Sequence, residues 1–234
     1  MTGPAVTRFL IVEDHPLFRE ALGSAVRGVT PDAQVFEAAS IDEAIAILSA
    51  TPAIDLILLD LSMPGTTGPL GLIRIRKAFP KNPVVVVSVH EDPRIIGSIL
   101  ALGVSGYIPK STPKPEITRS IAEVLRGSLC LPGFYRDLAA DQPFRGPPRE
   151  LLKRLHDLTP QQLRVLDMLG RGLQNKQIAH ELDISETTVK VHVSDILRKL
   201  NVLSRTRAII EIAKIDFANL CSDQTARRDA RKSV

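Results

Sequence analysis

The stretch Ile54-Asp55-Leu56-Ile57-Leu58-Leu59-Asp60-Leu61-Ser62-Met63-Pro64-Gly65 decides the reading of this chain. A short apolar run bounded by turn residues reads as a parallel strand buried on both faces. The carboxylate of Asp60 closes that run. It therefore belongs on the carboxyl-end rim of a sheet, where open α/β folds bind ligands and do chemistry. An earlier run, Arg8-Phe9-Leu10-Ile11-Val12, ends in Glu13-Asp14 and brings two more acids to the same rim.

Working outward, strands and helices alternate. The short strand Gln34–Glu37 follows a helix that starts at Pro16, a favoured first-turn residue. Ser40 with Glu43 three residues on forms a capping box before Ala44-Ile45-Ala46-Ile47-Leu48. A helix from Pro69 to Phe79 leads to Val84-Val85-Val86-Val87-Ser88-Val89, which is almost purely β-branched. A helix from Asp92 to Leu102 stops at Gly103, Gly106-Tyr107-Ile108 forms a fifth strand, and a last helix runs from near Pro115 to Arg126. Five βα units predict a doubly wound, five-stranded parallel sheet.

Residues 132–149 break the alternation with Pro132, Gly133, Pro143, Gly146, Pro147 and Pro148, and read as a linker. Leu151–Leu155 could begin a short helix within its end. Beyond it the pattern is all helical. Thr159-Pro160-Gln161-Gln162 is a capping box with proline at the first helical position. Short helices to Leu169 and over Lys176–Leu182 flank Gly172. Ser185 caps a longer helix to Leu200, and Ser204 caps one to Phe217. The expected organisation is a sheet domain over 1–131, a linker over 132–156 and a small all-α domain over 157–217. A basic tail over 218–234, with Arg227, Arg228, Arg231 and Lys232, reads as disordered.

Composition narrows the function classes. No apolar run is long enough to span a bilayer, and the first residues lack a basic segment followed by a long apolar one. Cys130 and Cys221 have neither metal-ligand spacing nor the density of a disulfide framework. A cytoplasmic protein without a membrane partner is expected. Charge is uneven. Residues 1–133 hold 12 Lys and Arg against 13 Asp and Glu, whereas residues 134–234 hold 18 against 13. The basic half is the one able to meet a polyanion, although a solvated surface would look the same.

The rim carries chemistry. Glu13, Asp14 and Asp60 repel one another when they converge, and a bound cation relieves this; for an all-oxygen site the candidate is Mg2+. Ser88 and Lys110 stand at the ends of the fourth and fifth strands. Asp60 is a carboxylate able to attack a phosphoryl group. Asp14, supported by Glu13, would hold Mg2+ against the phosphoryl oxygens. Lys110 would pair first with Asp60 and then with phosphate, and Ser88 offers a hydroxyl. Taken singly, each has a plainer reading: Glu13-Asp14 as a helix cap, Lys110 as a surface lysine, Ser88 as a satisfied strand-end hydroxyl, Tyr107 as core.

Ile11-Val12-Glu13-Asp14-His15-Pro16, Leu58-Leu59-Asp60-Leu61-Ser62-Met63-Pro64-Gly65, Val86-Val87-Ser88 and Gly106-Tyr107-Ile108-Pro109-Lys110 resemble the receiver domain of bacterial two-component response regulators, over residues 7–128. The resemblance implies a flavodoxin-like fold. It implies that Asp60 accepts a phosphoryl group from a sensor histidine kinase. It implies that Glu13, Asp14, Asp60 and the backbone carbonyl of Ser62 hold Mg2+, and that Ser88 and Tyr107 move together on phosphorylation. The serine at 88, where receivers often carry threonine, and Pro113 and Pro115 near Lys110 depart from the usual pattern.

In the basic half, Val189, Val193, Ile196, Leu197 and Leu200 recur at helical spacing as a buried stripe, while Thr187, Thr188, Lys190, Val191 and Ser194 fall on another face. That pattern suits a recognition helix and equally a plain helical bundle. Leu158-Thr159-Pro160-Gln161-Gln162, Gly172-Leu173-Gln174-Asn175-Lys176-Gln177-Ile178-Ala179, the run Ser185–Val193 and Ser204-Arg205-Thr206 resemble a LuxR-type helix-turn-helix. The resemblance implies that Lys190, Val191 and Ser194 face the DNA groove. Thr188, Lys176 and Arg205 are then candidate phosphate contacts, and the last helix pairs two domains.

The resulting expectation is a transcription regulator of the NarL/FixJ-like kind. Mg2+-dependent phosphorylation of Asp60 would promote dimerisation and binding to double-stranded promoter DNA. Its only catalysis would be self-phosphorylation from a phosphodonor and slow self-dephosphorylation. The alternative is a regulator controlled by protein contact or a ligand, without phosphorylation.

Overall fold

The computed structural model describes residues 6–51, 53–63, 66, 69–135 and 149–213. The chain divides into two compact units, one carrying the sheet and the other the later helices.

In the first unit the elements are β1 (Arg8–Val12), α1 (Pro16–Val29), β2 (Gln34–Ala38), α2 (Ile41–Ala50), β3 (Leu56–Asp60), α3 (Leu70–Ala78), β4 (Val84–Ser88), α4 (Pro93–Leu100), β5 (Gly106–Pro109) and α5 (Lys114–Leu125). All strand pairs are parallel, in the order β2-β1-β3-β4-β5. The expected doubly wound sheet is the observed one. Every residue of β3 and β4 is buried, which is why those runs are continuously apolar. The edge strand β2 is only half covered. At the opposite edge the chain at Cys130 lies beside β5, with the Tyr107 amide donating to the Cys130 carbonyl at 2.9 Å. Gly106 permits this approach, since a Cβ there would stand 2.9 Å from the Cys130 Cβ.

The order of winding positions the site. The chain passes from β1 outward to β2, then returns to the other side of β1 for β3, β4 and β5. Val12 and Leu59 are register partners, so the residues after β1 and the last residue of β3 meet at the switch point.

Local signals act as the sequence predicts, with adjustments. Ser40 accepts from the Glu43 amide at 3.2 Å, but the Glu43 carboxylate takes the Ala39 amide rather than that of Ser40. β4 ends at Ser88, leaving Val89 more than half exposed. α4 is shorter than expected at both ends: Asp92 is its cap rather than its first residue, and Ala101 caps the other end. α5 starts at Lys114, with Pro113 as its cap and Pro115 in the first turn, so the two prolines begin the helix rather than disturb it.

The second unit contains α6 (Arg149–His156), α7 (Pro160–Gly170), α8 (Asn175–Leu182), α9 (Glu186–Leu200) and α10 (Arg205–Ala213). α9 touches each of the other four helices. Its Val189, Ile196 and Leu200 are buried, with Leu163, Leu166, Ile178, Ala208 and Ile212 of its neighbours. Val193 and Leu197, expected in the same stripe, are only half-buried. Residues 149–156, read as the end of a linker, form α6. Arg154 donates to the Leu200 carbonyl at 3.2 Å and so satisfies the end of α9. The basic tail over 218–234 and the last turn expected before Phe217 lie outside the described residues.

The capping box at Thr159 is complete. The Thr159 hydroxyl accepts from the Gln162 amide, and the Gln162 side chain accepts from the Thr159 amide. Thr159→Ala is expected to cost about 1 kcal/mol. Urea denaturation of the two proteins measures it, and an unchanged midpoint would show that the cap contributes nothing.

Candidate functional site

At the switch point β1 and β3 deliver three carboxylates. Glu13 is fully buried and Asp60 is 2% exposed. Asp60 Oδ1 accepts from the Ser62 amide at 2.9 Å, an Asx-type turn that aims the side chain along the rim. Lys110, one residue past β5, reaches back with Nζ 2.9 Å from Asp60 Oδ2 and 2.7 Å from Glu13 Oε2. Burial pulls the Lys110 pKa down. The neighbouring carboxylates of Glu13 and Asp60 outweigh it and hold the pKa above its ordinary value. One ammonium thus serves two buried carboxylates, and it also stands 4.7 Å from the centre of the Phe18 ring.

The donor set fits a divalent cation. Ligand atoms of Glu13, Asp14, His15 and Asp60 all lie within 4.8 Å of one another. Glu13 Oε2 and Asp14 Oδ1 are buried without an aligned hydrogen-bond donor, although Lys110 and His15 respectively are close to them.

Ser88 is fully buried, and its hydroxyl accepts from the His90 amide at 3.4 Å. Tyr107 is also fully buried, and its hydroxyl donates to the His90 carbonyl at 2.7 Å. Burial pushes the Tyr107 phenol up to about 12, so it remains a donor. The two residues implied to switch together therefore converge on the backbone of a third, His90.

In the second unit Thr187, Thr188, Lys190, Val191 and Ser194 of α9 are exposed together. Thr187, Lys190, Val191 and Ser194 follow i, i+3, i+4, i+7 spacing and make one stripe. Lys190 pairs with Glu186 at 3.3 Å. Two hydroxyls are engaged locally, Thr188 with Ser185 and Ser194 with the Lys190 carbonyl. Lys176 is exposed on α8. Arg205 stands apart, since its guanidinium donates to the Leu173 carbonyl and braces the turn before α8.

A model of the response regulator receiver domain matches residues 9–122, and a model of the luxR family of bacterial regulatory proteins matches residues 156–212. The glycerol metabolism activator of Pseudomonas putida is 42% identical over 216 residues, covering 90% of this chain and 96% of that protein. The chain belongs to the DNA-binding response regulators. The nitrate/nitrite response regulator protein NarL of Escherichia coli K12 is 30% identical over 210 residues, again covering 90% of this regulator and 96% of the relative. A LuxR family DNA-binding response regulator from Silicibacter pomeroyi matches with a TM-score of 0.50 at 32% identity, covering 56% of this chain and 100% of the other. The RcsB response regulator of Salmonella typhimurium, at 22% identity and a TM-score of 0.53, covers 89% of this chain and 98% of its own and shares the fold. No helix among the described residues is long and apolar enough to cross a membrane.

Three residues of the site escape a reading of sequence. His15 caps α1 and Phe18 sits in its first turn, and only the orientation of that helix brings His15 to Glu13 and Asp14 and Phe18 to Lys110. His90 acts through its backbone, which leaves no signature in residue type. The position of His15 directly after the acid pair was the available signal.

Proposed function

We propose that this response regulator is switched at Asp60. The observation that carries the reading is a nearly buried carboxylate at the end of β3, held by the Ser62 amide and Lys110 beside Glu13 and Asp14. A phosphohistidine of a sensor kinase would be the donor. Asp60 Oδ attacks phosphorus, the P–N bond to histidine breaks, and an acyl phosphate forms. Glu13, Asp14, Asp60 and the Ser62 carbonyl would hold Mg2+, which supplies neutralisation of charge on the phosphoryl oxygens. Lys110 exchanges its carboxylate partner for a phosphoryl oxygen, and the Ser88 hydroxyl turns from the His90 amide to another. Slow attack by water returns the free carboxylate.

Leaving His90 frees its amide, and Tyr107 shares that residue. Phosphorylation thus favours a state with a different arrangement around His90, and it shifts the population only by its difference in affinity between the two states. That state dimerises, with the exposed Leu203 and Ile210 beside and on α10 as candidate contacts. Two α9 helices then meet two half-sites of promoter DNA in the cytoplasm, where a bacterial chromosome lies. We assign residues 1–131 to the receiver and 157–217 to the DNA-binding part. Because α6 packs on α9, it belongs with the latter, and residues 132–148 join the two.

The test is binding of double-stranded DNA by fluorescence anisotropy at fixed salt. Acetyl phosphate with Mg2+ is expected to raise the affinity of the wild type and leave Asp60→Asn unchanged. Equal affinity with and without the phosphodonor would favour control by protein contact instead. Lys176→Ala is expected to weaken binding of all sequences and to reduce the slope of log affinity against log salt by about 0.9, the value for one phosphate contact. An unchanged slope would remove Lys176 from the backbone.

A further inference from the structure

Apolar side chains wall the rim that carries Asp60. Val89 directly follows Ser88, the last residue of β4, and is 59% exposed. Leu17 sits in the first turn of α1, the helix that follows β1, and is 84% exposed. β3 lies between β1 and β4 in the sheet, so these two residues follow the strands on either side of the one that ends in Asp60. With His15, Pro16, Phe18 and Lys110 they line a depression of about 470 Å3. Phe18 packs on the core beneath α1 and holds that wall in place. Lys110 lines the depression and is also the partner of Asp60 at 2.9 Å, while the Asp60 side chain itself meets no solvent. The depression therefore opens onto the acceptor.

Scattered exposed apolar side chains need no explanation, but a contiguous set at the mouth of a reactive site does. An acyl phosphate is lost when water attacks phosphorus. A new O–P bond forms, the bond from phosphorus to Asp60 Oδ breaks, and its electron pair returns to the carboxylate. A proton passes to solvent and inorganic phosphate leaves. The attacking water must be held in line and must lose its proton to an acceptor. The side chains of Pro16, Leu17, Phe18 and Val89 have no polar atom for either task, and His15 Nδ1 is turned to Glu13 and Asp14. A wall that keeps water off a reactive intermediate slows its hydrolysis.

We propose that Val89 and Leu17 form a water-excluding collar that sets the lifetime of the phosphorylated protein. Val89 contributes more, because it adjoins the Ser88 hydroxyl that meets the phosphoryl group. This rests on the reading of Asp60 as the phosphoryl acceptor.

The full-length protein is phosphorylated with acetyl phosphate and Mg2+ and desalted, and the phosphorylated fraction is followed with time by intact mass. Val89→Ala is expected to shorten the half-life roughly tenfold, equivalent to about 1.4 kcal/mol off the barrier to hydrolysis. Leu17→Ala is expected to shorten it by less. Val89→Ile keeps the wall apolar and full-sized, and should hold the phosphoryl group at least as long as the wild type. Leu129→Ala alters an exposed leucine that does not line the depression, and should decay at the wild-type rate. A half-life of Val89→Ala equal to or longer than that of the wild type overturns the proposal. So does a Val89→Ile as short-lived as Val89→Ala, or a Leu129→Ala that decays as fast, since either would trace the change to disturbed packing rather than to water at the rim. If the wild type gains a phosphoryl group and Val89→Ala keeps it as long, only the collar falls. If the wild type gains none, the acceptor reading falls and the collar with it.

Discussion

Lys110→Ala is expected to destabilise the receiver unit by about 3–5 kcal/mol in the absence of divalent cations, the cost of removing one partner from a buried ion pair. The ammonium is 12% exposed and serves two carboxylates whose side chains are fully buried, Glu13 at 2.7 Å and Asp60 at 2.9 Å. Without it, those carboxylates face each other and Asp14 with no positive charge between them. The misaligned contact to Glu13 does not weaken this expectation, because charge interaction depends on distance more than on angle. Mg2+ should return part of the loss, since an ion that binds only the folded state stabilises by mass action. Urea denaturation with and without Mg2+ measures both effects. An unchanged midpoint would mean that the cluster is solvated more fully than its burial indicates. A loss that Mg2+ does not reduce would argue against a cation at these acids.

Val191→Asp is expected to abolish DNA binding at physiological salt while the helices remain folded. Val191 is 58% exposed on α9, between Lys190 and Ser194 on the stripe assigned to the groove. The substitution replaces an exposed apolar group, so packing loses little. It adds a negative charge where the phosphate field is strongest. Like charges forced together at an interface cost several kcal/mol, so affinity should fall by roughly a hundredfold or more. Anisotropy titrations, with far-UV circular dichroism to check the fold, give the answer. Retained affinity with the fold intact would place DNA on a different face of α9.

Much of the fold was legible because burial on both faces leaves continuous apolar runs, as in β3 and β4, and because prolines and hydroxyls mark helix starts at Pro16, Pro160 and Ser185. The acids were legible for a related reason. A charge directly after such a run has nowhere to go but the rim, and the switch between β1 and β3 brings two rims together. What depends on helix rotation was not legible. His15 and Phe18 reach the site through the orientation of α1, which periodicity alone does not give. Nor does sequence report side chains that bond to backbone. Arg205 matches a phosphate-contact position by residue type, and the structure adds that one nitrogen of its guanidinium donates to the Leu173 carbonyl. In α9 the spacing marked five apolar positions, while the packing of four neighbouring helices covers only three of them fully. α6 was legible in part: Leu151–Leu155 marked a short helix, but the prolines that precede it grouped residues 149–156 with the linker rather than with the helices they pack on.

The central claim is that Asp60 accepts a phosphoryl group. The measurement that tests it most directly is intact-protein mass after incubation with acetyl phosphate and Mg2+, for wild type and Asp60→Asn side by side. The account predicts that the wild type gains the mass of one phosphoryl group, that the gain is lost when the cation is chelated beforehand, and that Asp60→Asn gains nothing. A phosphoryl group on Asp60→Asn would contradict it by placing the acceptor elsewhere in the chain.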